Sequence, residues 1–123
     1  MWTDRLAELG IELPAVAAPV AAYVPAIRTG NQVWTSGQLP FTDGALPATG
    51  KVGAEVSAED AAAFARQAAL NALAAVDDLV GLGNVARVLK LVGFVASAPD
   101  FTGQPTVINL SLIHISEPTR QAE

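Results

Sequence analysis

Apolar positions recur at helical spacing through one long stretch of the chain. Ala61, Phe64, Ala65, Ala68, Ala72, Ala75, Val76 and Leu79 share one face of a 3.6-residue period, and Arg66, Gln67, Asn71, Asp77 and Asp78 share the other. The pattern predicts an amphipathic helix. Ser57 is placed to cap it, and Glu59 and Asp60 suit the positive end of its dipole. Its apolar face is mostly alanine, which permits close approach to a sheet. Leu70 falls on the polar side, so a cover from the N-terminal segment is expected there. Gly81-Leu82-Gly83-Asn84 ends the helix. This glycine pair follows a helix and does not join a strand to one, so it is not a nucleotide-binding loop.

The rest of the chain is patterned for short strands and turns. Tyr23–Ile27 and Gln32–Ser36 are runs of β-formers around the hairpin signal Arg28-Thr29-Gly30-Asn31. Pro25 confines the first run to an edge or a bulge. Gln38 to Gly53 is rich in proline and glycine and is expected to be a loop, long enough for function or an interface. Val85–Ser97 predicts a long strand, with Val92-Gly93-Phe94-Val95-Ala96 apolar enough for a central position buried on both faces. Ala98–Gly103 is a turn, and Gln104–Asn109 starts another element. Upstream, Thr3–Leu9 predicts a short helix with Thr3 as N-cap and Gly10 as the C′ residue, followed by an extended linker from Pro14 to Pro19. The order strand, strand, helix, strand predicts an α+β domain with helices on one face of a sheet. It is too little to close a sheet, so at least one further helix and a pair of strands are expected.

Composition narrows the functional classes. The chain has 123 residues, 51% of them hydrophobic, which excludes disorder by composition and allows one modest core. Charged residues make up only 15%, so part of the surface is expected to be hidden in an oligomer. Net charge is −5, and residues 1–109 hold 10 acids against 6 bases with no Lys/Arg cluster. Neutralising several phosphates needs such a cluster, so nucleic acid is not an expected partner. There is no cysteine, hence no disulfide, thiolate metal site or thiol nucleophile. No signal peptide is visible, and the apolar stretch Leu13–Ile27 is broken by Pro14, Pro19 and Pro25, so a cytoplasmic protein without a membrane partner is expected.

Candidate chemistry gathers around Thr35-Ser36-Gly37-Gln38-Leu39-Pro40. Together with Ala63–Leu73 (Arg66-Gln67 and Asn71), Val92-Gly93-Phe94-Val95-Ala96-Ser97 and Phe101…Val107-Ile108-Asn109, in this order, that segment resembles the RidA (YjgF) family. The Gly-Gln-Leu-Pro loop with Ser97-Ala98-Pro99-Asp100-Phe101-Thr102-Gly103-Gln104-Pro105 is similar to its YjgF/chorismate-mutase-like endoribonuclease branch. The resemblance implies a chorismate-mutase-like α+β fold with helices packed on one face of a mixed β-sheet, incomplete at the C-terminus here. It also implies a homotrimer with small-molecule pockets between subunits. The implied activity is hydrolytic deamination of reactive enamines and imines of the 2-aminoacrylate type to a 2-keto acid and ammonia, without metal or organic cofactor. Transferred onto this chain, Tyr23 is a pocket phenol, Ser36 and Gly37 line the pocket with backbone donors for a carboxylate, and Asn109 lies near the cleft. No catalytic residue transfers. The arginine that holds the carboxylate and the glutamate that helps position water belong to strands beyond a second helix, and Arg120 lies in no family motif.

The domain is therefore expected to span residues 1–109, with residues 1–19 as N-terminal helix and linker. Residues 110–123 form a non-family tail, and Leu110–Glu123 resembles translated adapter DNA instead of native protein. Two other functions are compatible with the residues. One is a non-catalytic small-molecule-binding or regulatory module on the same trimer, and the weaker one is an endoribonuclease. A serine nucleophile at Ser36 is not expected, because His114, in the tail, is the only histidine. Trp34 is expected to pack, and Asp77 and Asp78 to be solvated.

Overall fold

The computed structural model describes residues 2–16 and 24–108. Helix α1 covers Trp2–Glu8, and strands β1 (Ala26–Thr29) and β2 (Gln32–Thr35) form a hairpin. Helix α2 covers Ala58–Val80, and a short 3-10 turn follows at Leu82–Asn84. Residues 104–108 are helical. The order agrees with the pattern of the sequence except at 85–96, where no ladder forms among the described residues.

Each end of α1 has a local cause. It begins at Trp2, so Thr3 lies in the first turn and is not the cap. At the other end Ile11 N–H donates to Leu6 O (2.9 Å) and Gly10 N–H to Ala7 O (3.1 Å). This is the double bond of a Schellman ending, with Gly10 at C′ as expected, and Ile11 packs in the same cluster as Leu6. The hairpin pairs Ala26 with Thr35 and Thr29 with Gln32, leaving Gly30-Asn31 as a two-residue turn. Gly30 takes φ +60°, the value a II′ turn requires at its first central residue.

The Ser57 side chain caps α2 by accepting from Asp60 N–H at 3.1 Å. The helix bridges two apolar clusters. At its C-terminal half Leu70 meets Trp2, Leu6 and Leu82, with Leu73, Val76, Ile11 and Val88 packed around them. The leucine that falls outside the periodic stripe is thus buried by the N-terminal helix. At the N-terminal half Ala61 meets Val52, Val56 and Val107, with Phe64, Val95 and Phe101 beside them. Ala74 and Ala75 are both 3% exposed, whereas Leu79, expected on the buried face, is 43% exposed. Alanine is what lets α2 also pack against both β1 and β2.

Two expectations are corrected. Residues 85–96 do not form a central strand: Leu89, Leu91 and Val92 are more than half exposed and Phe94 is 94% exposed. A strand needs a neighbour for its N–H and C=O groups, and among the described residues only its end finds one. Val52 N–H donates to Ala96 O (2.8 Å) and Ala98 N–H to Val52 O (2.9 Å), an isolated parallel bridge. The described sheet is an antiparallel pair with isolated parallel bridges at Val52. The second correction concerns Trp34. It stands opposite Ile27 on the hairpin face turned away from buried Ala26, and the two are 58% and 51% exposed. No described helix is long and apolar enough to cross a membrane.

Candidate functional site

The site is built at the end of the hairpin, where the ladder stops. Ser36 N–H donates to Pro25 O at 2.9 Å, and the Ser36 hydroxyl donates to the same carbonyl at 3.3 Å. Pro25 has no N–H to return, so pairing ends there. The hydroxyl thus helps to close the hairpin.

Immediately beyond, the backbone is open. Gly37 is exposed, its amide has no hydrogen-bond partner among the described residues, and nothing lies within 4 Å of where a Cβ would stand. An unoccupied N–H at the end of a strand, beside a half-buried serine, is a donor available to an anionic oxygen. Phe41 N–H then donates to Leu39 O at 2.8 Å, which closes a three-residue turn on Pro40.

Helix α2 holds this turn. Asn71 Nδ2 donates to Leu39 O at 3.0 Å and to Phe41 O at 3.2 Å. Gln67 Nε2 donates to Asn71 Oδ1 at 3.1 Å, so the orientation of the Asn71 amide is set from the next turn of the helix. Gln67 and Asn71 stand on the polar face in the sequence, and nothing in that pattern assigns them a contact. The available signal is the pairing of two amides at i, i+4 on the polar face of a helix in a chain with a long loop.

Ser36 and Gly37 both lie at this open end of the hairpin. Tyr23 and Asn109, the other two expected pocket residues, lie outside the described residues, as do His114 and Arg120. Arg28 is engaged at the opposite end of the hairpin, its Nε donating to Gly30 O at 2.9 Å. Arg66 is exposed on α2. Among the described residues no group of three or more His, Cys, Asp or Glu side chains is placed to hold a metal.

The comparisons with known proteins agree with this architecture. The family model described as "YjgF/chorismate_mutase-like, putative endoribonuclease" matches residues 3–109. The chain belongs to that family, and its fold is the chorismate-mutase-like α+β fold. Among individual proteins it is 43% identical over 106 residues to Protein TCP17 of Trypanosoma cruzi, a match covering 85% of this chain and 66% of that protein. A crystal structure titled "putative endoribonuclease" from Shewanella oneidensis MR-1 superposes with a TM-score of 0.85 at 31% identity, covering 94% of this chain and 79% of the other. The protein Atu1372 "with unknown function" from Agrobacterium tumefaciens superposes with a TM-score of 0.80 at 39% identity, covering 96% and 74% respectively. The chain thus spans about two thirds of the TCP17 sequence, 66% of it.

Proposed function

We propose that this protein is a RidA-like binder of small carboxylates whose reaction is hydrolytic deamination of reactive enamines and imines. The supporting observation is the unpartnered Gly37 amide beside Ser36, at an open strand end. In the proposed reaction a 2-aminoacrylate-type enamine takes a proton at carbon to become the imine. Water adds to the imine carbon, and the resulting carbinolamine expels ammonia as its C–N bond breaks, leaving a 2-keto acid. The Gly37 N–H would hold the carboxylate and leave the imine carbon facing water. Tyr23 and Asn109 would complete the pocket, and an arginine from a longer form of the chain or from a neighbouring subunit would pair the carboxylate. A homotrimer with clefts between subunits belongs to the same proposal. The exposed Ile27, Trp34 and Phe94 side chains support it, because apolar groups of this size gain most by being covered.

Incubation of the purified chain with freshly generated 2-aminoacrylate tests the reaction: pyruvate and ammonia should appear faster than in buffer, and an unchanged rate removes the catalytic claim for this chain. Pyruvate binding without turnover would favour the second reading, a non-catalytic binding module, for which the position of Arg28 at the opposite end of the hairpin speaks. The endoribonuclease named in the family description is less well supported. The net charge is −5, which opposes approach to a polyanion. RNA cleavage that persists through purification and disappears in Ser36→Ala would reverse that ranking.

A further inference from the structure

We infer that Asn71 is the positioning residue of this site, setting the backbone geometry of Gly37 and Gln38 through the turn it holds. The inference rests on the ligand reading above only for its functional consequence. Residues 36–41 have two anchors. One is Ser36 on Pro25 O, and the other is the pair of Asn71 bonds to Leu39 O and Phe41 O. Gly37 and Gln38 are strung between them, and no bond of Gly37 to the rest of the described molecule fixes its N–H direction. Removing the second anchor frees two residues of backbone, one of them glycine, the residue with the most conformational freedom to regain.

Asn71 suits this work because all of its polar capacity toward the protein is directed. One nitrogen faces two carbonyls, and its oxygen accepts from Gln67 Nε2 at 3.1 Å, which distinguishes oxygen from nitrogen and fixes the amide orientation. A carboxylate in the same place would set an acceptor against two acceptors. The residue touches no ligand atom in this scheme and acts through the turn.

The experiment uses the full chain in four forms, wild type, Asn71→Ala, Asn71→Asp and Gln67→Ala, with Leu70→Ala as a control that damages the core without touching the turn. Amide chemical shifts and hydrogen exchange of Gly37 and Gln38 are measured first without ligand, and pyruvate is then titrated as the probe. Both Asn71 variants should shift the Gly37 and Gln38 amides, speed their exchange, and raise the pyruvate dissociation constant by about three- to tenfold, as expected for losing a preorganising contact. Gln67→Ala should act in the same direction and less strongly, and it decides the matter should an Asn71 variant fail to fold. Leu70→Ala should lower the melting temperature yet leave the affinity of the folded fraction unchanged, which separates the Asn71 effect from a general loss of stability. Wild-type Gly37 and Gln38 shifts in Asn71→Ala, Asn71→Asp and Gln67→Ala overturn the inference. A wild-type chain that ignores pyruvate overturns the ligand reading instead, while the ligand-free shifts still decide the role of Asn71.

Discussion

Gly53 illustrates how a single residue here is dictated by its neighbours. It takes φ +91°, and a Cβ built on it would stand 2.9 Å from the Cβ of Phe101. Phe101 packs against the cluster of Val52, Val56, Ala61 and Val107, so it has little room to retreat. Gly53→Ala should therefore cost about 1–3 kcal/mol from overpacking, with backbone strain added, read as a lower urea midpoint at unchanged slope. Ser57→Ala removes the acceptor of the Asp60 N–H and should cost about 0.5–2 kcal/mol in the same assay. Asp77 carries a similar lesson. Read as a solvated charge in the sequence, its carboxylate accepts from Leu82 N–H at 2.8 Å and so ties down the turn after α2. An acid near a helix C-terminus is unfavourable with respect to that helix's dipole, and the bond to the next turn offsets it. Asn84 answers from the other side, its Nδ2 donating to Val80 O at 2.8 Å and satisfying a terminal carbonyl of the helix.

At the scale of elements, α2 packs against both strands and the 3-10 turn and contributes to both apolar clusters. Its C-terminal half carries α1 through Trp2, Leu6 and Leu70, closed by Leu82, which is only 1% exposed. Leu82→Ala should cost about 2–5 kcal/mol, because a fully buried leucine leaves a cavity that two helices cannot readily collapse. Trp2 reports on the same contact: the loosening of α1 in that variant should appear as a red shift of its fluorescence as the 5% exposed indole meets water. The indole Nε1 is buried without a partner among the described residues, so burying Trp2 is carried there by its apolar area. The middle of α2 places Gln67 and Asn71 on the Pro40 turn, which makes one helix both the core and the support of the site.

At the scale of the whole molecule, apolar surface is distributed unevenly. The inner side of the hairpin is covered by α2, while Ile27 and Trp34 on the outer side and Leu89, Leu91, Val92 and Phe94 along the unpaired segment face solvent. Trp34→Gln and Phe94→Gln should each change the stability of the isolated subunit by no more than about 0.5 kcal/mol, since neither side chain is packed within it. If the proposed trimer forms, the same substitutions should lower the sedimentation coefficient at equal concentration. An unchanged coefficient would separate these side chains from assembly. The superposition with longer relatives, at TM-scores of 0.85 and 0.80, shows that the described arrangement is the family's own architecture and not a fold peculiar to this chain.

The chain's own residues were enough to read α1 with its Gly10 ending, the hairpin with its glycine turn, α2 with its serine cap, and the family signature around Ser36 and Gly37. Each of these depends on neighbours within a few positions, through capping, turn geometry or periodicity, so local sequence carries it. Leu70 could be assigned to the N-terminal segment for a related reason: a large apolar residue off its stripe demands a cover. The fate of 85–96 was beyond such reading, because a strand exists only by pairing and its alternation says nothing about whether a partner is there. Trp34 likewise took its exposure from which hairpin face α2 occupies, and the Asn71 bonds join residues some thirty positions apart. Those outcomes belong to the tertiary structure, since long-range hydrogen bonds and coverage are settled by what the chain brings together in space, not by what stands beside each residue along it.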